Sequence, residues 1–259
     1  MGTFEFNGEK YKLASKHQKE WGNELILELE LNGDESILDL GCGDGMLTEK
    51  LSSLVTMGNV VGIDASKGMI ETARKLSRNN LEFIYLDINE INYVNEFDII
   101  YSNAALHWIK DHERLLLNSY HALKPRGRIV WNFAAEGTCQ NFFKIINGII
   151  DKPQYKIYFK NFNWPWYMPS KSEYLSLVEK VGFFEFCVIE ENTDRYFSNV
   201  DEMIMWLDQP TLVPFIKYLP DNLKEQFRTE VIEQMIQETI QIDGRCFETF
   251  RRLKIKAVK

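Results

Sequence analysis

The chain has 259 residues, of which 45% are hydrophobic and 26% are charged, and its formal net charge at pH 7 is −8. A chain of this length and composition can bury a full hydrophobic core, so it is predicted to be globular rather than disordered. The acidic balance argues against nucleic acid as the main partner, because phosphate binding depends on clustered Lys and Arg side chains.

The cysteines and histidines lie far apart and match neither a disulfide framework nor a metal-ligand spacing. We therefore expect no metal, and free thiols in a reducing compartment at Cys42, Cys139, Cys187 and Cys246. No apolar run approaches the length of a membrane span, and residues 1–21 lack the apolar core of a signal peptide. The prediction is a cytoplasmic protein without membrane attachment, either a monomer or a homodimer.

The first half of the sequence alternates short apolar runs with segments of helical periodicity. The apolar runs predict strands at 36–40, 59–64, 81–86, 97–102 and 127–133, and the segments between several of them predict helices at 46–54, 67–77 and 112–123. Strands separated by helices of this length imply right-handed parallel crossovers and a sheet covered on both faces. The fold class is therefore predicted to be α/β, with a doubly wound sheet.

The second half begins with an aromatic-rich stretch that is too irregular to assign. The pattern then predicts a helix at 172–182, a strand at 183–191, helices within 199–240 and a final strand at 247–258. These two strands complete a mostly parallel, seven-stranded sheet. The helices between them predict a cap rather than an independent domain.

A glycine turn follows the first predicted strand. The sequence ILDLGCGDGM places Gly41, Gly43 and Gly45 where a strand ends and a helix begins, so that the backbone can approach a ligand closely. A dinucleotide-binding fingerprint needs a third glycine at position 46, where this chain has Met46, and no Gly-Lys-Ser/Thr of a P-loop follows. Taken alone, the turn is either a ligand site or a plain tight turn.

Two acidic residues at the ends of the next strands favour the ligand site. Asp64 ends the second strand, at the distance expected for a carboxylate that accepts both ribose hydroxyls of a nucleoside. Asp87 follows the third strand, where it can accept from an adenine amino group while Ile88 offers a backbone donor. The alternative for Asp87 is the N-cap of a helix.

The segments ILDLGCGDG, VVGIDAS, YLDINE, FDIIYSNAALHWI and LKPRGRIVW resemble, in order and spacing, the motif set of class I S-adenosylmethionine-dependent methyltransferases. Beyond them, WYMPSKSEYLSLVEKVGF, YFSNVDEMIMWL and DGRCFETFRRLKIKA resemble the C-terminal half of the trans-aconitate methyltransferase group. The segment YKLASKHQKEWGNELI is similar to the first helix of juvenile hormone acid and malonyl-carrier-protein methyltransferases, which act on carboxylates.

This resemblance implies a Rossmann-like fold, S-adenosyl-L-methionine as cofactor and methyl transfer as the activity. The implied organisation is an N-terminal helix over the cofactor site (1–30), the cofactor-binding core (31–135), a substrate-side insertion with a returning helix and strand (136–198), a helical cap (199–244) and a final sheet strand (245–259).

The resemblance also assigns cofactor-binding residues. Asp39, Gly41, Cys42 and Gly43 are expected around the methionine end of the cofactor, Asp64 at the ribose, Ala65 and Met69 on the adenine face, Asp87 and Ile88 at the adenine edge, and Asn103 beside the transferable methyl. Tyr11 is also assigned to the cofactor site.

For the acceptor, the carboxylate-methylating relatives imply that Gln18 and Trp108 hold a carboxylate through their amide and indole N–H groups. An ionised carboxylate needs no general base. His107 is therefore either a base for another kind of acceptor or a residue that satisfies local hydrogen bonds. Further acceptor-side candidates are Trp164, Trp166, Tyr167, Arg195 and Arg245.

The favoured function is O-methylation of a small carboxylic acid. The alternatives are N- or C-methylation of a metabolite, a nucleotide-binding oxidoreductase and a non-catalytic binding module.

Overall fold

The structure is a computed structural model that describes residues 16–259, except for the side chains of residues 16 and 210. In chain order the strands are β1 (Ser36–Leu40), β2 (Asn59–Asp64), β3 (Leu81–Tyr85), β4 (Phe97–Asn103), β5 (Leu123–Ala134), β6 (Phe184–Asn192), β7 (Arg195–Phe197), β8 (Cys246–Glu248) and β9 (Arg251–Val258).

The helices are α1 (Lys16–Leu27), α2 (Met46–Leu54), α3 (Lys67–Ala73), α4 (His112–Ala122), α5 (Gln140–Ile150), α6 (Pro153–Lys156), α7 (Lys171–Val181), α8 (Val200–Trp206), α9 (Val213–Ile216) and α10 (Asp221–Thr239). Short 3₁₀-helices cover Arg74–Leu76, Ile88–Glu90 and Leu106–Trp108. Within the described residues, every helix is too short or too polar to cross a lipid bilayer.

The main sheet has seven strands in the order β3-β2-β1-β4-β5-β9-β6. Strands β1 to β5 pair in parallel, and β9 pairs with β5 in the antiparallel sense. The strand order reverses direction at β1, so that β2 and β4 flank it. This arrangement confirms the predicted Rossmann-like, mostly parallel sheet, and it places the carboxyl ends of β1, β2 and β4 beside one another at a topological switch point.

Both faces of the sheet are buried because helices pack on each of them, and successive strand residues point to opposite faces. In β1, Ile37 packs in one hydrophobic cluster with residues of α1 and α2, whereas Leu38 packs in the other with residues of α4 and α7. Both side chains are fully buried. A continuous apolar run such as SILDL is therefore what a central parallel strand requires, as predicted.

The chain forms two compact units. The first comprises the described residues up to Glu136 together with Trp166–Glu191 and Arg252–Lys259, and the second comprises Gly137–Pro165 and Asn192–Arg251. The second unit is mainly helical and contains an antiparallel sheet of β7 and β8. Most of its helices fall in the segment that the sequence assigned to a cap.

Two parts of the second half differ from the sequence prediction. The unassigned aromatic stretch contains α5, which buries Phe142, Ile145, Ile146 and Ile149 at helical spacing. The predicted final strand at 247–258 is wrong as one element, because β8 and β9 are separate strands in different sheets. Between them, the backbone N–H of Phe250 donates to Asp194 Oδ1 and its carbonyl accepts from the N–H of Thr193. These bonds replace strand pairing at Phe250, so β8 does not continue into β9.

Candidate functional site

Neighbouring side chains leave no space for a Cβ at two glycines of the turn after β1. Gly41 and Gly45 have φ of +75° and +82°, a left-handed conformation that costs little for glycine. A Cβ on Gly41 would lie 2.3 Å from the Cβ of Ala105, and one on Gly45 would lie 2.8 Å from Phe83 Cζ. The N–H groups of Gly41 and Cys42 both donate to the carbonyl of Ile63, each at 2.9 Å. These contacts fix the path of the turn against β2.

Gly43 differs from its two neighbours because the space beside it is open. Its φ is +56°, yet a Cβ placed on it would meet no atom within 4 Å. A cleft of about 400 Å³, which includes its open mouth, lies here in the first unit. Its lining comes from α1, the turn, the start of α2 and the ends of β1 and β4, namely Gln18, Lys19, Asp39, Gly41, Cys42, Gly43, Asp44, Leu47, Tyr101 and Asn103.

Asp64 connects this turn to the loop after β2. Its Oδ2 accepts from the N–H of Gly43 at 3.0 Å, and its Oδ1 accepts from the N–H of Ser66 at 2.8 Å. The Ser66 hydroxyl in turn accepts from the N–H of Met69 and caps α3. The carboxylate is therefore held at the carboxyl end of β2, next to the glycine turn.

Asp39 is a buried acid in the wall of the cleft. Its side chain is 2% exposed, and its Oδ2 accepts from the Thr48 hydroxyl at 2.7 Å. Burial raises the pKa of this carboxyl to about 7, and the charge of Asp64 adds to the effect. A cationic group in the cleft would favour the ionised form.

Cys42 lies in the same turn, where its surroundings favour the protonated thiol. Burial raises the pKa of its thiol well above the ordinary value, and the neighbouring carboxylates of Asp64 and Asp39 raise it further. Nucleophilic cysteines need the thiolate form, which this environment disfavours.

Asp87, after the end of β3, is a helix N-cap, which was the alternative to a ligand contact in the sequence analysis. Its Oδ1 accepts from the N–H of Asn89 at 2.9 Å, so Asp87 is the N-cap of a 3₁₀-helix. The N–H of the preceding residue, Leu86, donates to the carbonyl of Asp64 at 3.1 Å, so the ends of β3 and β2 lie side by side. Ile88 is buried, and its Cδ1 would lie 3.8 Å from a Cβ on Gly41.

Ala65 and Met69 follow Asp64 in the chain. Ala65 is half-buried, whereas Met69 is 3% exposed and packs as a buried residue of α3. Tyr11, which the resemblance assigned to the cofactor, lies outside the described residues.

On the other side of the cleft, β4 is joined to α1. Asn103, at the end of β4, donates from Nδ2 to the backbone carbonyl of Gln18 at 2.7 Å. Within residues 16–259, the side-chain oxygens of both residues, Asn103 Oδ1 and Gln18 Oε1, are buried without a hydrogen-bond partner. Buried acceptors without donors are rare in folded proteins, so this pair indicates a place for a hydrogen-bonding ligand.

His107 and Trp108 follow in a 3₁₀-helix but are not in the lining of the cleft described above. Trp108 lies with its ring centroid 5.4 Å from that of Trp166, and the His107 carbonyl accepts from the N–H of Tyr167 at 2.8 Å. Burial lowers the pKa of His107 to about 3, and the charge of Arg252 contributes to the shift. His107 is therefore neutral at neutral pH and a very weak base.

Sequence analysis missed Arg252. It alternates with Lys254 and Lys256 along β9, a pattern typical of an exposed strand face, but Arg252 is only 3% exposed. Its guanidinium lies 4.1 Å from the ring centroid of Trp21 on α1, and its Nη2 donates to the carbonyl of Asn132 at 3.1 Å. The strand pattern could not reveal this, because the burial comes from α1, which is distant in sequence.

Three other acceptor-side candidates belong to the second unit. Trp164 packs edge-on against Phe143 there, with ring centroids 5.4 Å apart. Arg245 forms an ion pair with Asp243 at 2.7 Å, and Arg195 lies in β7.

Residues 31–182 match the sequence model of a family described as a methyltransferase domain. The chain belongs to this methyltransferase family. It is 31% identical over 246 residues to an uncharacterised methyltransferase of Schizosaccharomyces pombe, across 91% of each chain. It is also 26% identical over 235 residues to a trans-aconitate 2-methyltransferase of Enterobacter sp., covering 89% of this chain and 88% of the relative.

Among solved structures, the fold resembles phosphoethanolamine N-methyltransferase 2 of Haemonchus contortus in complex with S-adenosyl-L-methionine. The TM-score is 0.62 at 18% identity, over 97% of this chain and 56% of the other. The predicted family and cofactor are confirmed, and the chain is an S-adenosyl-L-methionine-dependent methyltransferase.

The cleft fits a ligand with polar and cationic groups. It has open space at Gly43, buried oxygens on Asn103 and Gln18, and a raised pKa at Asp39.

Proposed function

We propose that the methyltransferase acts on a small molecule and methylates a carboxylate oxygen. The observation that carries this proposal is the similarity to a trans-aconitate 2-methyltransferase over 89% of this chain. The lowered pKa of His107, the histidine beside Trp108, agrees with it. A phenol or an ammonium group must lose a proton before it can accept a methyl group, and His107 is too weak a base to remove it at neutral pH. A carboxylate is already ionised at that pH and needs no base.

We propose that the cofactor occupies the cleft at the glycine turn. When bound, it supplies an electrophilic methyl group on a sulfonium. We assign its methionine end to Asp39, Gly41, Cys42 and Gly43, its ribose to Asp64, its adenine face to Ala65 and Met69, its adenine edge to Asp87 and Ile88, and the vicinity of its methyl group to Asn103.

Asp39 and Asp64 serve different parts of this site. The pKa of about 7 at Asp39 means that a nearby ammonium, such as that of the methionine end, would draw the carboxyl into its charged form. Asp64 is held by the Gly43 and Ser66 backbone, which aims its carboxylate for hydroxyl donors at the end of β2. The two acids thus bind two different polar groups of the cofactor, the ammonium of its methionine end and the hydroxyls of its ribose.

For the acceptor, we propose that Gln18 and Trp108 bind the carboxylate with their amide and indole N–H groups. Gln18 lines the cleft beside Asn103, and Trp108 is supported by the ring of Trp166. The similarity to a trans-aconitate 2-methyltransferase along most of the chain supports a carboxylate acceptor. Because no proton is exchanged, positioning and removal of water from the carboxylate would account for the rate.

The acceptor class is tested with a panel of small carboxylic acids, phenols and primary amines in the presence of S-adenosyl-L-methionine. The proposal predicts turnover with a carboxylic acid and a product that releases methanol in mild base, as a methyl ester does. Gln18→Ala should reduce this turnover, whereas the exposed Glu24→Ala in the same helix α1 should not. Turnover restricted to amines or phenols, with base-stable products, would contradict the proposal.

A further inference from the structure

His112 is the first residue of α4, and its imidazole joins two other elements. The side chain is 2% exposed, with Nε2 3.0 Å from the carbonyl oxygen of Leu106 and Nδ1 3.0 Å from the hydroxyl oxygen of Tyr174. A carbonyl can only accept, so Nε2 carries the hydrogen and donates it to Leu106. The Tyr174 hydroxyl then donates to Nδ1. The ring therefore links α7 to the 3₁₀-helix that contains Trp108.

The protonation states of this link are constant around neutral pH. Burial lowers the pKa of His112 to about 4, although the backbone of Leu106 and Ile109 and the charge of Asp111 act in the opposite direction. Burial also raises the pKa of Tyr174 well above its ordinary value. The imidazole stays neutral and the phenol stays protonated, so the direction of both hydrogen bonds is fixed.

The same region is held from a second side by the segment before α7. The ring of Tyr167 lies with its centroid 4.7 Å from that of His112, and its N–H donates to the His107 carbonyl at 2.8 Å. Lys110 donates from Nζ to the carbonyl of Trp166 at 2.7 Å. Trp108 thus packs against the indole of Trp166, and hydrogen bonds to the carbonyls of Leu106 and His107 hold the backbone that precedes it.

We propose that His112 is a positioning residue for the acceptor site. Together with Tyr174, it fixes the 3₁₀-helix Leu106–Trp108 so that the Trp108 indole is presented in one orientation. A residue that only filled the core would need no donor toward Leu106, whose carbonyl already accepts from the N–H of Ile109 at 2.9 Å. The inference rests on the proposed function of Trp108 as a hydrogen-bond donor to the acceptor.

The indole N–H signals of the protein, labelled with ¹⁵N at tryptophan, test this inference without cofactor or acceptor. The chain has 6 tryptophans, and the Trp108 signal is identified by its loss in Trp108→Phe. We expect His112→Phe and Tyr174→Phe each to shift or broaden the Trp108 signal while that of Trp131 in β5 remains in place. His112→Gln, which keeps a distal N–H donor, should restore the wild-type Trp108 signal.

The matched control is His121→Gln, which changes an exposed histidine at the other end of α4 and should leave all signals unchanged. An unchanged Trp108 signal in folded Tyr174→Phe would overturn the proposal, and that variant removes one hydroxyl even if His112→Phe does not fold. A common shift of all indole signals would also overturn it, because it would indicate a general structural effect. Since no acceptor is present, the result is independent of whether the acceptor is a carboxylate.

Discussion

Asn103 at the end of β4 donates a 2.7 Å hydrogen bond to the backbone carbonyl of Gln18 in α1, across 85 residues of sequence. This bond joins the strand that ends beside the glycine turn to the helix that is proposed to contact the acceptor. Both side chains line the same cleft. The bond thus couples the proposed cofactor side and acceptor side of the site.

Replacing Asn103 with Ala should destabilise the protein and weaken the site. The carbonyl of Gln18 would lose its side-chain donor and keep its bond within α1, and the loss of one such hydrogen bond typically costs about 0.5 to 1.5 kcal/mol of unfolding free energy. Urea denaturation of Asn103→Ala measures this loss. The exposed Asn79→Ala is the control and should change the free energy of unfolding by less than about 0.5 kcal/mol. Equal effects of the two substitutions would contradict the prediction.

Asp39→Asn should stabilise the cofactor-free protein at high pH. The carboxyl pKa is about 7 in the folded state and 3.8 as the ordinary value, so ionisation of the buried group costs stability as pH rises from about 4 to 7. Above pH 7 we expect Asp39→Asn to be more stable than wild type by about 1 to 3 kcal/mol, with no difference near pH 4. The variant should also bind S-adenosyl-L-methionine more weakly. Unfolding midpoints between pH 4 and 8 provide the measurement, and a wild type that is more stable at pH 8 would refute the prediction.

Two histidines whose pKa values are lowered in the folded state should make the protein acid-sensitive. The folded-state pKa values are about 3 for His107 and about 4 for His112, below the ordinary value of 6.5. The unfolded state therefore binds more protons below pH 6.5, and each histidine removes about 1.4 kcal/mol of stability per pH unit as pH falls toward its folded pKa. Denaturation of His112→Gln at several pH values between 7 and 4.5 should show a shallower slope than wild type. His121→Gln should keep the wild-type slope, and a steep slope in both variants would exclude His112 as its source.

Trp108→Phe should affect the acceptor and spare the cofactor. Phenylalanine keeps an aromatic ring and so retains part of the packing against Trp166, but the indole N–H that is proposed to bind the carboxylate is lost. We expect a higher acceptor KM or a lower turnover by roughly tenfold, the size of one hydrogen bond to a charged group. Steady-state kinetics and calorimetry with S-adenosyl-L-methionine separate the two effects. An equal loss of cofactor affinity would place Trp108 on the cofactor side instead.

The cofactor half of the site was predictable because its signals are local in sequence. Gly41, Gly43 and Gly45 adopt positive φ within one short turn, and Asp64 lies where a buried strand ends, so short patterns sufficed. The acceptor side was harder to predict. The Arg252 guanidinium lies against the ring of Trp21 in α1, and His112 is held by the hydroxyl of Tyr174 in α7, which is 62 residues away in sequence.

Helix α5 shows a different reason for failure. Phe142, Ile145, Ile146 and Ile149 have the spacing of an amphipathic helix, yet the surrounding aromatic residues obscured the periodicity. The break between β8 and β9 was also hidden, because Asp194, which binds the Phe250 N–H there, lies 56 residues away. At this break, a contact distant in sequence determines the structure.

The most direct test of the account is calorimetric titration of wild type and Asp64→Asn with S-adenosyl-L-methionine and S-adenosylhomocysteine. The account predicts that wild type binds both ligands and that Asp64→Asn loses most of this affinity, because the amide cannot accept from the Gly43 and Ser66 N–H groups and from ribose hydroxyls as a carboxylate does. The exposed Asp34→Asn should bind as wild type does. Undiminished binding by Asp64→Asn would contradict the assignment of the cofactor to this cleft.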